Sequence, residues 1–148
     1  MSIRVPETKT TKAPVYKQAG DARLAEAEYL EDAHPSGAIY LAGYLVECYL
    51  KWALCERSKV PYLQALPDKD LAQVLTSGRG HNLEELCAVA GYDVHFSKDA
   101  VVSRAFQVAA VWSPNVRYIQ SCGGRREATQ FLAAVRTLRR DIQSWANV

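Results

Sequence analysis

The longest hydrophobic pattern in the chain runs from Ala38 to Cys55, AIYLAGYLVECYLKWALC, and carries charge only at Glu47 and Lys51. Within it Ile39, Gly43, Val46, Leu50 and Ala53 recur every three or four residues, which predicts a long helix with one apolar stripe. The two charges lie at i and i+4 on one helix face and can pair; either would be heavily penalised if desolvated alone. Upstream, Ala22, Ala25, Tyr29 and Ala33 step by three and four after Gly20, predicting a first amphipathic helix with Asp21 as its N-cap. His34-Pro35-Ser36-Gly37 breaks the pattern, and so short a join makes the two helices antiparallel neighbours.

The connection from Val60 to Gly80 is the least regular, with Pro61, Pro67, Gly78 and Gly80, and leaves room for a short helix from Asp68 to Leu75. Asn82 followed by Glu85 resembles a capping box, and Leu83, Leu86, Cys87 and Ala90 give a compact helix that Gly91 stops. Ser97 is placed to cap another, lined by Val101, Ala105, Val108, Ala109 and Trp112 until Pro114. After Gly123-Gly124 the face Ala128, Phe131, Leu132, Val135, Leu138, Ile142 and Trp145 defines the last helix. Residues 1–15, rich in Thr, Lys and Pro, are expected to form a disordered or extended arm, and residues 16–148 one domain. No strand or repeat pattern is visible, so the expected fold is all-α, a bundle of about five helices.

Composition narrows the class. A chain of 148 residues, 49% hydrophobic and 23% charged, suits one folded domain. Its net charge of +2 is too small to imply nucleic-acid binding by itself. The Ala38–Cys55 run approaches the roughly 20 residues of a membrane span. Glu47 and Lys51 in its second half favour a central bundle helix instead, and no membrane association is expected. The four cysteines show no paired C-x-x-C spacing and the first residues no signal-peptide core, so the expected compartment is the cytoplasm. Cys48 and Cys55, about 10.5 Å apart along a helix, are too distant to share a zinc ion unaided; no metal or cofactor is expected. Gly78-Arg79-Gly80 is too short to be a nucleotide-cradling loop.

Three blocks in order, AGYLVECYLKWAL at 42–54, GHNLEEL at 80–86 and WSPNVRY at 112–118, resemble the pattern of HEPN domains. These are small helical bundles associated with nucleotide binding, RNA cleavage and toxin–antitoxin pairs. The resemblance covers most of the chain from about Asp21 and implies a HEPN-like up-and-down core. It implies a site near a dimer cleft in which Glu47, Lys51 and Arg117 lie close together, with Lys51 and Arg117 on phosphate. In ribonucleases of this family an Arg is followed after about four to six residues by His. Arg117 matches that Arg, but residues 118–124 contain no histidine. Cys122 stands at the right distance, as a thiol of ordinary pKa about 8.5 that would need activation for proton transfer.

His81, beside Arg79 at a helix start, is open to two interpretations: phosphate contact at a positive helix end, or a hydrogen bond across the bundle that positions its loop. Trp112 and Tyr118 are candidates for stacking on a base. His34 and His95 are expected to be ordinary surface or turn residues. Arg125, Arg126, Arg136, Arg139 and Arg140 give the last helix a cationic side, expected to be a solvated face rather than an RNA groove. The leading expectation is a HEPN-like nucleotide- or RNA-binding module without ribonuclease activity. The rivals are a metal-independent endoribonuclease of toxin type using Arg117 with His81 or Cys122, and a structural subunit partnering a nucleotidyltransferase or acting in a toxin–antitoxin pair. A homodimer is expected, through the Ala38–Cys55 helix and the Trp112–Tyr118 segment.

Overall fold

The computed structural model describes residues 2–3 and 11–148; most of the expected arm lies outside them. Seven α-helices follow in order: α1 (Ala13–Leu30), α2 (Pro35–Ser58), α3 (Lys69–Thr76), α4 (Leu83–Ala90), α5 (Tyr92–Phe96), α6 (Ala100–Ala109) and α7 (Arg125–Ala146). Short 3-10 turns occupy Leu63–Ala65, Gly78–His81 and Pro114–Tyr118, and no strand occurs among the described residues. The all-α class holds, with seven helices where about five were expected, because the chain between α2 and α6 folds into short helices.

Helix α2 is the axis of the molecule, buried along one stripe by Ile39, Gly43, Val46, Leu50 and Ala53 and almost all round in its second half. By length and apolar composition it could cross a membrane, but most of it is buried inside its own bundle. Helix α1 lies antiparallel beside it: Leu30 faces Gly37, Gly20 faces Cys48 and Tyr49, and the Ala13 amide donates to the Pro61 carbonyl. Helix α7 runs parallel to α2, with Gly123 near Ile39 at one end and Arg57 donating to the Trp145 carbonyl at the other. Phe96, just before α6, and Phe106 within it stack, and Trp112 beyond it reaches Tyr40, so α6 runs the opposite way. The alternating directions form a four-helix core, and α3 to α5 cover one side of it.

Helix α1 corrects the sequence pattern. It starts at Ala13, which is buried, so the first helix begins inside the expected arm. Its inward face is Ala13, Gly20, Leu24 and Ala27, whereas Ala22, Ala25 and Tyr29 point outward and Ala33 is exposed in the turn after the helix. Alanine is compatible with either face, so the periodicity of small residues did not mark the core side. Asp21 is not a cap. It sits mid-helix and accepts hydrogen bonds from the Tyr49 hydroxyl at 2.5 Å and from Arg139 Nε at 2.9 Å.

Helix α4 has the expected bounds, with the Asn82 side chain accepting the Glu85 amide and Gly91 in a left-handed conformation at φ 76°. Asp68 caps α3. Asp99, not Ser97, caps α6, by accepting the amides of Val101 and Val102. That shift turns Val102, Ala105, Phe106 and Ala109 inward and leaves Val101 and Val108 exposed. The expected face of α7 is buried throughout. Its cationic side is tied to α1 and the turn after it by Arg136–Glu28, Arg139–Asp21 and Arg125–Asp32 pairs at 3.7, 2.9 and 3.0 Å. His95 departs from expectation: it stacks on Tyr92 and reaches Asp141, the acceptor of the buried Tyr92 hydroxyl.

Burial has a consequence at high pH. It pushes the thiols of Cys48 and Cys55 up to about 12 and about 11, and the Tyr16 and Tyr49 phenols up to about 12. Above pH 9 the unfolded chain releases these protons while the folded chain keeps them, so stability is full below pH 9 and falls as pH rises toward 12. The thermal midpoint is expected to hold to about pH 9 and then decline, less steeply in Cys48→Ala/Cys55→Ala; an unchanged decline would assign it to the buried Cys87 thiol and the tyrosines.

Candidate functional site

The two charges of α2 are both buried, Glu47 at 5% and Lys51 at 7% exposure. The Lys51 ammonium lies 3.7 Å from Glu47 Oε2, long for a hydrogen bond but close enough to neutralise the charge. The other oxygen, Glu47 Oε1, meets His81 Nδ1 at 2.5 Å. Glu47 thus bridges the ammonium on its own helix and an imidazole from the turn before α4.

That turn is brought in by Gly80. A Cβ there would collide with the Leu75 carbonyl, so only glycine lets Gly78–His81 fold tightly against α3. Asn82 then starts α4 and fixes His81 one residue outside the helix. The imidazole is half exposed. Its Nε2 has no hydrogen-bond partner among the described residues, while Nδ1 is engaged by Glu47.

His81 borders two cavities. The inner one, about 600 Å³, is lined by Thr11, Tyr16, Glu47, Lys51, Gln64, Leu75, Thr76, Ser77 and His81. The outer one, about 470 Å³, lies between the start of α4 and residues 110–117 and includes Asn82, Glu84, Ser113, Asn115 and Arg117. Both volumes fall within the range of about 300–1,000 Å³ usual for small-molecule sites.

Arg117 is at the outer rim, fully exposed and in no ion pair with a carboxylate among the described residues. Its guanidinium lies 4.8 Å from the centre of the Tyr118 ring. Contact with the hydroxyls of Tyr118 and Tyr40 pushes its pKa further up, so it is a permanent cation. Tyr44 lies within reach of both Glu47 and Arg117: burial and a hydrogen bond to Tyr40 push its phenol up, Glu47 adds to the effect and Arg117 opposes it. Glu47, Lys51 and Arg117 therefore occupy one region, but no contact joins Arg117 to the other two; His81, which lines both cavities, is the link.

Other expected site residues are placed differently. Trp112 is 2% exposed, its indole lying over Gly43 and its Nε1–H donating to the Tyr40 carbonyl at 3.0 Å. It is a packing residue and cannot stack on a base. Tyr118 is 73% exposed and can. Arg79 is paired with Glu85 and lines a third pocket with Asp70, Gln73 and Ser77, and neither of the two cavities. Cys122 is tied to the start of α2, its amide donating to Ser36 Oγ. Ser36 precedes Glu47 by eleven residues, about 16 Å along the axis, so Cys122 does not reach the Glu47–His81 pair.

Sequence reasoning missed Tyr16, Gln64, Thr76 and Ser77 on the inner wall and Asn115 on the outer. Gln64 lies in the irregular connection, where no periodicity marks an inward position, and Tyr16 at the edge of the expected arm. Among the described residues no three His, Cys, Asp or Glu side chains gather as a metal-ligand set. No protein-family model, curated protein or solved structure matches the chain.

Proposed function

We propose that this protein is a HEPN-like helical module that binds a phosphate-bearing ligand, a nucleotide or RNA, at the outer cavity, and does not cleave RNA. The observation that carries this is the charge arrangement: Lys51 is neutralised by Glu47, whereas Arg117 has no carboxylate partner among the described residues and stands at the rim of a polar cavity lined also by Asn82, Glu84, Ser113 and Asn115. The phosphate contact therefore falls to Arg117, with His81 Nε2 as a second group when protonated. Arg117→Ala is expected to weaken binding of a fluorescent single-stranded RNA or of AMP by about ten- to a hundredfold, the worth of a charge-assisted hydrogen bond. Fluorescence anisotropy at fixed salt checks this, and unchanged affinity would refute it.

One observation favours a metal-independent endoribonuclease as the second reading. A carboxylate holds one nitrogen of His81 while the other faces outward near an arginine, the arrangement that orients an imidazole for general acid–base work. Under the first reading, purified protein leaves RNA intact. Cleavage to a 2′,3′-cyclic phosphate end, lost in both Arg117→Ala and His81→Ala with folding preserved, would replace it with the second.

The proposal includes a homodimer, with a changed interface. Tyr49 and Trp52 are buried within the protomer, so α2 offers only its partly exposed Tyr40 and Tyr44. Val111, Tyr118 and Ile119 are the exposed apolar residues next to them, at 82%, 73% and 55%. Light scattering is expected to give about twice 16.4 kDa, and Val111→Glu with Ile119→Glu a monomer; a wild-type monomer at micromolar concentration would rule the interface out.

A further inference from the structure

The inner cavity has a character of its own. Among the described residues its two full charges, Glu47 and Lys51, cancel, so these offer no net attraction for an anion. Yet it is rich in hydrogen-bonding groups. The Gln64 side-chain amide has no partner among the described residues. Thr76 and Ser77 donate their hydroxyl protons to the Ala72 and Val74 carbonyls; Thr76 keeps its lone pairs to accept with, and Ser77, which already takes the Arg79 amide, keeps one. The Lys51 ammonium, at 3.7 Å from its carboxylate and in no hydrogen bond among the described residues, retains protons to donate. Burial holds the Tyr16 phenol neutral, with a pKa pushed up to about 12, and its ring and Leu75 supply apolar wall. Donors, acceptors and apolar surface around a cavity of about 600 Å³ with no net charge from the described residues suit a flat, polar, uncharged heterocycle.

We infer that the inner cavity holds the nucleobase of a nucleoside monophosphate unit whose phosphate lies on Arg117 in the outer cavity, with the sugar passing His81. This rests on the proposed phosphate role of Arg117. His81 then has a positioning role: held by Glu47, it sets the passage between the two compartments. The Gln64 amide, the one side-chain amide on the inner wall, reads the edge of the base.

Calorimetric titration of the full chain with AMP, GMP, CMP, UMP and ribose 5-phosphate tests this. At least one nucleotide is expected to bind about tenfold or more tightly than ribose 5-phosphate, the contribution of one good hydrogen bond or more. Gln64→Leu, at a partly buried residue whose amide has no partner to lose among the described residues, should remove most of that advantage and leave ribose 5-phosphate affinity unchanged; Arg117→Ala should weaken both. A tetra-adenylate that competes with AMP would show the unit being read within RNA, and one that does not would show a free nucleotide; both support the inference. Ribose 5-phosphate binding through Arg117 as tightly as every nucleotide would overturn the inference and leave the proposed function standing. So would a base-dependent gain that survives Gln64→Leu intact. No binding by any of these probes would overturn both.

Discussion

Replacing Glu47 with alanine lowers the stability of the folded chain by about 3–5 kcal/mol, the usual effect of removing one partner from a buried ion pair. The loss has two parts. Lys51, 7% exposed, keeps its charge without a counter-charge, and His81 loses the carboxylate that holds Nδ1. Lys51 lines the inner cavity instead of lying in solid packing, which places the expected value toward the lower end of that range. Glu47→Gln is milder, because an amide oxygen can still accept from His81 although the charge is gone. Replacing the pair together, Glu47→Leu with Lys51→Met, should recover most of the loss, since desolvation offsets much of the attraction of a buried pair. Urea unfolding with a common slope measures all three. Neutrality of both single substitutions would mean that Glu47 is not paired in the interior.

Gly43→Ala is expected to destabilise by about 3 kcal/mol or more, an unusually large effect for one methyl group and at the upper end of overpacking penalties. A Cβ at position 43 would fall inside the indole of Trp112. The ring cannot step aside cheaply, because it is 2% exposed and its Nε1–H is committed to the Tyr40 carbonyl. Relief requires expelling the indole, which forfeits a large buried surface and leaves the Tyr40 carbonyl short of a donor. The segment carrying Arg117 follows Trp112 directly, so nucleotide affinity should fall with stability. Gly43→Ala combined with Trp112→Leu should regain part of the stability, and coupling between the two sites in a double-mutant cycle is the signature. Additive effects would place the indole elsewhere.

Long elements were legible where residue type leaves one face no choice. On α7 the large side chains Phe131, Leu132, Leu138, Ile142 and Trp145 have only one place to go, and all are buried. Helix α4 was legible from its caps, because Asn82 and Gly91 act on the neighbouring backbone. Where the pattern rests on alanine it misled: Ala22 and Ala25, with Tyr29, lie on the outward side of α1 and Ala33 beyond its end, and nothing in alanine distinguishes core from surface. Trp112 misled differently. Its place next to Arg117 in the WSPNVRY block suggested a stacking platform, yet large aromatics bury more area than any other side chain, and the glycine that admits its ring lies some seventy residues upstream.

The amino-acid order alone was enough to settle that the chain is all-helical, that the Ala38–Cys55 segment is its centre, and that Glu47 needs a partner, because each follows from periodicity or from the penalty on a lone buried charge. Which partner it takes was open until the chain was folded. Lys51 is four residues away and in reach on any helix, but His81 arrives from an irregular loop and Arg117 stays outside, a matter of where Gly80 and Trp112 let the backbone approach α2. The cavities on either side of His81 belong to no segment. They are spaces left between elements distant in sequence, and local residue preferences carry no information about empty volume.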